Sequence, residues 1–126
     1  MSKAEQIPFG EKMIAEKNGA VGWMIFNNPQ RHNALSLDMW EAVPQILDLF
    51  EKDPEIRVIV LKGTGDKAFI SGADISEFAK LRSSAKAVAN YDHVSHEAGA
   101  RLSKASKPTI AMIHGYCIGG GLGVAL

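Results

Sequence analysis

The stretch that most constrains the fold is Thr109–Leu126, in which an apolar run, a glycine-rich segment and a second apolar run follow one another. Thr109–His114 is short, rich in β-branched residues and preceded by Lys-Pro, which predicts a buried strand. Gly115–Gly121 then predicts a turn, and Leu122–Leu126 predicts the beginning of an apolar helix. The stretch is therefore read as a strand that leads through a glycine turn into a helix.

The glycine turn has a chemical consequence as well as a structural one. Gly119, Gly120 and Gly121 let the backbone bend sharply and let another molecule approach without meeting a Cβ atom. A helix that begins there presents unpaired N–H groups and the positive end of its dipole, which suit a phosphate or a reaction oxyanion. The plainer alternative is that the glycines serve only close packing between strand and helix.

Composition limits the classes of function. Lys plus Arg and Asp plus Glu each number 14 among the 126 residues, so the net charge is zero and neither nucleic acid nor an anionic membrane is an expected partner. Cys117 is the sole cysteine, which excludes an intrachain disulfide and favours a reducing compartment, the cytoplasm. We expect no membrane-spanning helix, because no run of 18 apolar residues occurs, and no signal peptide.

The sequence ends at Leu126, about one turn into the predicted apolar helix and without a capping residue. We therefore expect residues 1–126 to be the N-terminal part of a single domain. A polypeptide of only these residues would expose an apolar face, so we expect it to be molten, aggregated or insoluble when isolated.

The first half of the chain predicts a hairpin and one long helix. Met1–Glu11 is expected to be loose, and Asn18-Gly19 between Lys12–Lys17 and Ala20–Asn27 is a strong hairpin signal. The second of these strands is apolar on both faces, which favours a central position in a sheet. Ser36 is a good N-cap for a helix that Asp53-Pro54 ends.

The second half alternates strands and helices. Arg57–Lys62 and Ala68–Ile70 are predicted strands, of which the first is expected to be buried on both faces. A short helix is expected at Ile75–Lys80. A longer one follows at Ala85–Ala105, where Val88, Tyr91, Val94, Ala98 and Leu102 form an apolar stripe. The order of elements predicts an α/β or α+β layered core.

Three weaker motifs compete for a functional assignment. Gly63, Gly65 and Ala68 fit the dinucleotide pattern G-x-G-x-x-A, but the residues that follow are strand-like, whereas the motif requires a helix. His93 and His96, with Glu97 beside them, could face a metal on one helix, although the spacing matches no zincin pattern and a solvated helical face is the plainer reading.

Cys117 is a candidate nucleophile or a small buried hydrophobe, and no G-x-S-x-G elbow for a serine nucleophile occurs. The segment Ser71-Gly72-Ala73-Asp74 is more informative, because it is a second strand–turn–helix junction with glycine at the bend. Two such junctions side by side could aim two backbone N–H groups at one oxygen atom, which is an oxyanion hole.

With both junctions in view, the chain resembles the N-terminal part of the crotonase superfamily, the enoyl-CoA hydratases and isomerases. The segments that carry the resemblance span almost the whole chain in family order. They are Asn28–Leu35 (NPQRHNAL), Val58–Gly63 (VIVLKG), Phe69–Ile75 (FISGADI) and Lys107–Gly121 (KPTIAMIHGYCIGGG).

The resemblance implies a spiral of ββα units that binds an acyl-CoA thioester and stabilises its enolate with the backbone N–H groups of Ala73 and Gly120. It also implies a homotrimer or a dimer of trimers, and no cofactor besides the coenzyme A of the substrate. The residues that it assigns to substrate or CoA binding are Arg31, His32, Ala34, Ser71, Gly72, Ala73, Asp74, Ile75, Gly119 and Gly120, with Arg31 or His32 near the nucleotide phosphates.

One position departs from the hydratase pattern. Family hydratases use two glutamates, and the position of the first is Gly123 here, which cannot transfer a proton. The position of the second lies beyond Leu126. The alternatives are therefore an isomerase-type enzyme with one acid/base residue, a non-catalytic acyl-CoA-binding relative, or a purely structural fragment.

Overall fold

The computed structural model describes residues 5–73 and 85–125 and contains a five-stranded mixed sheet with the strand order β1-β2-β3-β4-β6. β1, β2 and β3 pair antiparallel, whereas β3, β4 and β6 pair parallel. The strands of this sheet are β1 (Glu5–Pro8), β2 (Met13–Asn18), β3 (Val21–Phe26), β4 (Val58–Gly63) and β6 (Thr109–Ala111).

A second, two-stranded parallel sheet pairs β5 (Ala68–Ile70) with β7 (Tyr116–Cys117). The helices are α1 (Leu37–Lys52), α2 (Ala85–Ser103) and α3 (Gly120–Ala125), and a 3-10 turn covers Pro29–Arg31. Helices thus alternate with parallel strands, as the α/β prediction requires. Within the described part of the chain, no helix has the length and apolar character needed to cross a bilayer.

The predicted hairpin is confirmed, with its turn displaced by one residue. Asn18 pairs with Val21, so the loop consists of Gly19 and Ala20, and Gly19 takes the left-handed conformation at φ +62°. β3 lies between β2 and β4, which confirms the central position expected from its apolar faces. β3, the first of the three parallel strands, therefore has a hydrogen-bonded neighbour along each of its edges.

Helix α1 forms the main layer of the core over this sheet. Ser36 is its N-cap and Asp53 its C-cap, as predicted, and its buried side chains include Trp40 and Phe50. Lys107 Nζ donates to the carbonyl oxygens of Phe50 and Asp53, each at 2.6 Å, and so satisfies the end of the helix. Four of the five residues of the apolar stripe predicted for α2 face the core, since Tyr91 and Ala98 are buried and Val94 and Leu102 pack against the core, and α2 packs on α1.

Two predictions about exposed and buried segments were wrong. Met1–Glu11 is not loose throughout, because Glu5–Pro8 pairs with β2. Thr109–His114 is not a buried strand: β6 ends at Ala111, and Ile110 and Ile113 are 54% and 50% exposed. The reason is position, because β6 is the last strand of the sheet and, in residues 5–73 and 85–125, has β4 as its single partner strand.

The segment Gly115–Gly121 is more than a turn. It contains β7, and α3 begins at Gly120 rather than at Leu122. β7 forms through long-range pairing with β5, including a bond from Tyr116 N–H to Lys67 O at 3.1 Å, which local periodicity does not reveal. The helix predicted at Ile75–Lys80 lies outside the described residues.

The close packing of Gly22 in β3 against Phe50 in α1 predicts the change in stability when one methyl group is added at position 22. A Cβ atom at Gly22 would lie 2.9 Å from the Phe50 ring, so Gly22→Ala should lower the free energy of unfolding by about 1–3 kcal/mol through overpacking. Gly99→Ala on α2 is the control, because its Cβ would meet no described atom within 4 Å and alanine favours a helix. Urea unfolding of the full-length protein measures both, and a Gly22→Ala variant as stable as wild type would contradict this packing.

Candidate functional site

The two glycine turns singled out in the sequence lie side by side. Gly72 follows β5 with φ +128°, and Gly119 follows β7 with φ +55°. A Cβ atom built on Gly119 would lie 3.9 Å from Gly72 Cα, and one built on Gly72 would lie 3.7 Å from Ile118 O. The two junctions are therefore adjacent, since a methyl group added to either glycine would touch the backbone of the other junction, and both glycines have conformations that favour glycine.

The pairing of β5 with β7 brings these turns together. Ile70 pairs with Cys117, and Ile118 N–H donates to Ile70 O at 3.2 Å. Gly121, in the first turn of α3, packs so closely on Ile70 that a Cβ atom there would collide with the Ile70 carbonyl oxygen. Gly121 is thus required for the close approach of α3 to β5, as the packing alternative proposed. Gly72 and Gly119, by contrast, shape the turns themselves.

A third segment, residues 28–35, supports the Gly72 turn from the other side. Leu35 N–H donates to Gly72 O at 2.7 Å, and Leu35 and Ala73 form a parallel bridge. Ser71 N–H donates to His32 O and Ser71 Oγ–H to Arg31 O, both at 3.2 Å. The predicted residues Arg31, His32, Ser71, Gly72 and Ala73 are therefore neighbours in the structure.

Asn33 holds this segment in place and was missed by the sequence analysis as a site residue. Its side chain is buried, with 1% exposure, and its backbone is left-handed at φ +58°. The amide oxygen accepts from Asn28 N–H at 2.9 Å, while the amide nitrogen donates to Thr64 O at 3.0 Å and Ala68 O at 2.9 Å. Asparagine tolerates a positive φ better than most residues, which was the one local signal available.

The outer rim of the site is polar and partly aromatic. Arg31 and His32 are exposed, and the His32 ring stacks on Tyr116 with 5.6 Å between centroids and 16° between planes. A cavity of about 230 Å³ lies beside them, lined in part by His32 and Lys67. Ala34, by contrast, is buried, and its carbonyl accepts from Asn28 Nδ2 at 2.9 Å, so its side chain does not lie at this rim.

The remaining predicted positions lie on or near α3. Gly120 is the first residue of that helix, and Ala73 is exposed. Gly123 is exposed and lines two cavities, of about 280 and 630 Å³, between α2 and α3. Asp74 and Ile75 lie outside the described residues. That the N–H groups of Ala73 and Gly120 point at one volume stays a prediction.

The competing motifs lack the geometry that they require. Ala68 begins strand β5, so no helix opens behind Gly63 and Gly65, as a dinucleotide site needs. His93 Nε2 lies 3.5 Å from Glu97 Oε2 on the exposed face of α2. In residues 5–73 and 85–125, no three His, Cys, Asp or Glu side chains come close enough together to hold a metal ion. Cys117 is half-buried within β7.

Comparison with known proteins identifies one family. A family model described as enoyl-CoA hydratase/isomerase matches residues 21–126. The chain is 40% identical to the mitochondrial enoyl-CoA hydratase of Pongo abelii over 92% of the chain and 39% of that protein. It is 32% identical to the human mitochondrial 3-hydroxyisobutyryl-CoA hydrolase over 92% of the chain and 30% of that protein.

Among solved structures, an enoyl-CoA hydratase/carnithine racemase from Magnetospirillum magneticum superposes with a TM-score of 0.87 at 38% identity, over 95% of this chain and 44% of that one. An enoyl-CoA hydratase/isomerase family protein from Hyphomonas neptunium superposes with a TM-score of 0.88 at 32% identity, over 93% and 45%. The architecture of a crotonase fold, in its N-terminal part, is thereby confirmed. The chain spans less than half the length of each of these proteins.

The buried amide of Asn33 generates a prediction. Asn33→Asp keeps the shape of the side chain but removes both donors and introduces a buried carboxylate next to two carbonyl oxygens. We expect a loss of about 3 kcal/mol in the free energy of unfolding at neutral pH. Asn18→Asp, at the exposed end of β2, is the matched control and should change stability by less than about 0.5 kcal/mol. Equal stabilities of the two variants in denaturant unfolding would show that the amide bonds are dispensable.

Proposed function

We propose a function from the premise that the chain belongs to the enoyl-CoA hydratase/isomerase family. The full-length protein binds an acyl-CoA thioester and stabilises the thioester enolate with the backbone N–H groups of Ala73 and Gly120. The observation that carries the proposal is the adjacency of the Gly72 and Gly119 turns, since each turn is followed at once by one of the two proposed donors.

The peptide between Gly72 and Ala73 supports the assignment of the first donor. Its carbonyl oxygen accepts from Leu35 N–H at 2.7 Å, and the chain contains no cis peptide bond in the residues described. In a planar trans peptide the C=O and N–H groups point in opposite directions. The Ala73 N–H group is therefore directed away from Leu35, as a donor to an external ligand must be.

The chemistry requires donors of this kind. Removing a proton next to a thioester carbonyl places negative charge on its oxygen, and fixed N–H donors at about 2.7–3.1 Å stabilise that charge best in a site without water. Loss of one such donor typically lowers the rate by about 10²–10³. Because the donors are backbone groups, no metal ion or cofactor besides the CoA of the substrate is needed in this proposal.

The binding of the CoA moiety is assigned to the rim. Arg31 or His32 is assigned to the phosphates, and Arg31 is the stronger candidate because a guanidinium can donate two parallel hydrogen bonds to a phosphate. The proposed channel is completed by Ser71, Gly72, Asp74, Ile75 and Gly119.

The proposal also includes an assembly of three or six subunits and a cytoplasmic location, although several relatives are named as mitochondrial proteins.

The reaction type depends on Gly123. Hydration by two carboxylates is not proposed, because glycine supplies no acid at the first position. An isomerase-type reaction with a single acid/base residue is the preferred form. A non-catalytic acyl-CoA-binding protein remains the alternative, and the two differ in whether proton exchange at the α-carbon of the bound acyl group can be measured.

Thioester hydrolysis is a second candidate, favoured by the similarity to proteins named 3-hydroxyisobutyryl-CoA hydrolase. Attack of water on the thioester carbon gives a tetrahedral intermediate whose oxyanion occupies the same position as the enolate oxygen. The same two N–H donors would stabilise it. Release of free CoA from saturated acyl-CoA esters distinguishes this candidate from an isomerase.

The rim assignment predicts the effect of removing Arg31. In calorimetry with a series of acyl-CoA esters, Arg31→Ala should weaken binding about 10- to 100-fold, since a charge-assisted hydrogen bond contributes about 1.5–3 kcal/mol. Arg57→Ala is the control, because Arg57 is an exposed cation directly before the first residue of β4, whereas the last residue of β4, Gly63, lies next to Asn33 of the site. No heat and no thermal protection with any ester, short or long, in the wild-type protein would refute acyl-CoA binding altogether.

Gly123 predicts weak or absent hydration of a 2-enoyl-CoA by the wild-type protein. A Cβ atom at Gly123 would meet no described atom within 4 Å, so the first side-chain atom of Gly123→Glu has room. If a second acid lies farther along the full-length chain, the variant should gain about 10²-fold in hydration rate. Gly123→Gln has the same shape without the acid and should gain nothing. Rapid hydration by the unaltered protein would contradict the importance given to this position.

A further inference from the structure

Tyr91 is a buried residue of α2 whose hydroxyl group connects two distant parts of the chain. It is 7% exposed, and its Oη atom accepts from Trp40 Nε1 at 2.9 Å and donates to Leu35 O at 3.1 Å. Trp40 belongs to α1, whereas Leu35 belongs to the segment that supports the Gly72 turn. The hydroxyl therefore ties that segment to both helices of the core.

Leu35 is held at both of its backbone polar groups. Its carbonyl oxygen accepts from Tyr91, its N–H group donates to Gly72 O at 2.7 Å, and its side chain is fully buried. The Leu35 backbone cannot turn without breaking one of these two bonds. Its N–H direction, and with it the orientation of the Gly72 carbonyl, therefore depends in part on the Tyr91 hydroxyl.

The Gly72 carbonyl and the Ala73 N–H group belong to the same planar trans peptide, so the orientation of one determines that of the other. A series of hydrogen bonds, joined through the covalent backbone of Leu35, thus runs from Trp40 and Tyr91 to Gly72. It ends at the peptide whose N–H group is the proposed first donor of the oxyanion hole. A bond to the carbonyl also polarises the peptide and strengthens its N–H group as a donor.

We propose that Tyr91 is a positioning residue for the oxyanion hole: its hydroxyl, through Leu35, fixes the plane of the Gly72–Ala73 peptide. This inference rests on the proposed function. Tyr91 is not a catalytic residue, because its hydroxyl bonds to protein groups within the core. Tyr91 instead influences the direction and rigidity of the Ala73 N–H group. A donor in an oxyanion hole stabilises the oxyanion fully only when it is held close to its productive geometry.

The plainer explanation is that the hydroxyl merely satisfies the buried Trp40 N–H and Leu35 carbonyl groups. That role predicts a loss of stability alone. The positioning role predicts in addition a weaker polarisation of the bound thioester carbonyl and a lower kcat with little change in KM. The two roles are separated by a spectroscopic measurement on bound ligand that does not depend on turnover.

The experiment uses the full-length protein and butyryl-CoA labelled with ¹³C at the thioester carbonyl. Isotope-edited infrared spectra give the carbonyl frequency in water and in the complex. In wild type, we expect a shift to lower frequency on binding, caused by the two N–H donors. Tyr91→Phe should lose half or more of this shift, with less than a threefold change in affinity, and should lower kcat about tenfold for whichever reaction the wild type catalyses.

Val94→Ala is the matched control, because Val94 lies on the same face of α2, packs on the core and is not part of the hydrogen-bond series. It should reduce stability without altering the carbonyl frequency. If Tyr91→Phe fails to fold, Tyr91→Met replaces it, since methionine fills irregular core space without a hydroxyl.

The outcomes separate the two proposals. A carbonyl shift in Tyr91→Phe equal to that of wild type overturns the positioning role and leaves the oxyanion hole intact. A wild-type complex without any shift to lower frequency overturns the proposed oxyanion hole, and the role of Tyr91 with it. A loss of shift in Val94→Ala as large as in Tyr91→Phe assigns the effect to general loosening of α2 and also refutes the proposal.

Discussion

The candidate site depends on one buried amide. Asn33 joins two segments that are far apart in the chain, residues 28–33 and 64–68: its oxygen accepts from Asn28 N–H, and its nitrogen donates to Thr64 O and Ala68 O. An uncompensated loss of these bonds would leave several polar groups unsatisfied in the interior, each at a cost of about 1–3 kcal/mol. These bonds fix the segment that carries Arg31 and Leu35 to β5, the strand that leads into the Gly72 turn. The position of the rim relative to the turn is therefore fixed as well.

A second constraint is the crowding of backbone around β5. Gly63, Gly115 and Gly121 each pack so closely on the Lys67–Ile70 backbone that a Cβ atom would collide with a carbonyl oxygen there. This close approach explains how a strand of three residues can be completely buried in the described structure. Glycine at these three positions therefore lets the neighbouring segments approach the β5 backbone more closely than any residue with a Cβ atom could.

The sequence was sufficient where the decisive interactions are local. The cap at Ser36, the stop at Asp53-Pro54 and the Asn18-Gly19 signal predicted α1 and the hairpin to within a residue. Strand pairing over long separations was not predictable, so β7 was missed and β6 was taken as buried. Asn33 was overlooked as a site residue for the same reason, because its side-chain acceptors lie 31 and 35 residues farther along the chain.

In the proposed site, backbone groups stabilise the oxyanion and side chains transfer protons, and these two roles place different constraints on the sequence. A backbone N–H group is present whatever the side chain, so the oxyanion hole places constraints mainly on glycines and on the residues that orient peptides, such as Tyr91 and Asn33. The acid/base groups face no such constraint and can differ between relatives that share the scaffold. Gly123 is consistent with this separation, because it lines open cavities and its Cβ position is unobstructed, so its identity can change without disturbing the turns. The proposed reaction type therefore depends on the acid/base side chains, which the backbone of the two turns does not specify.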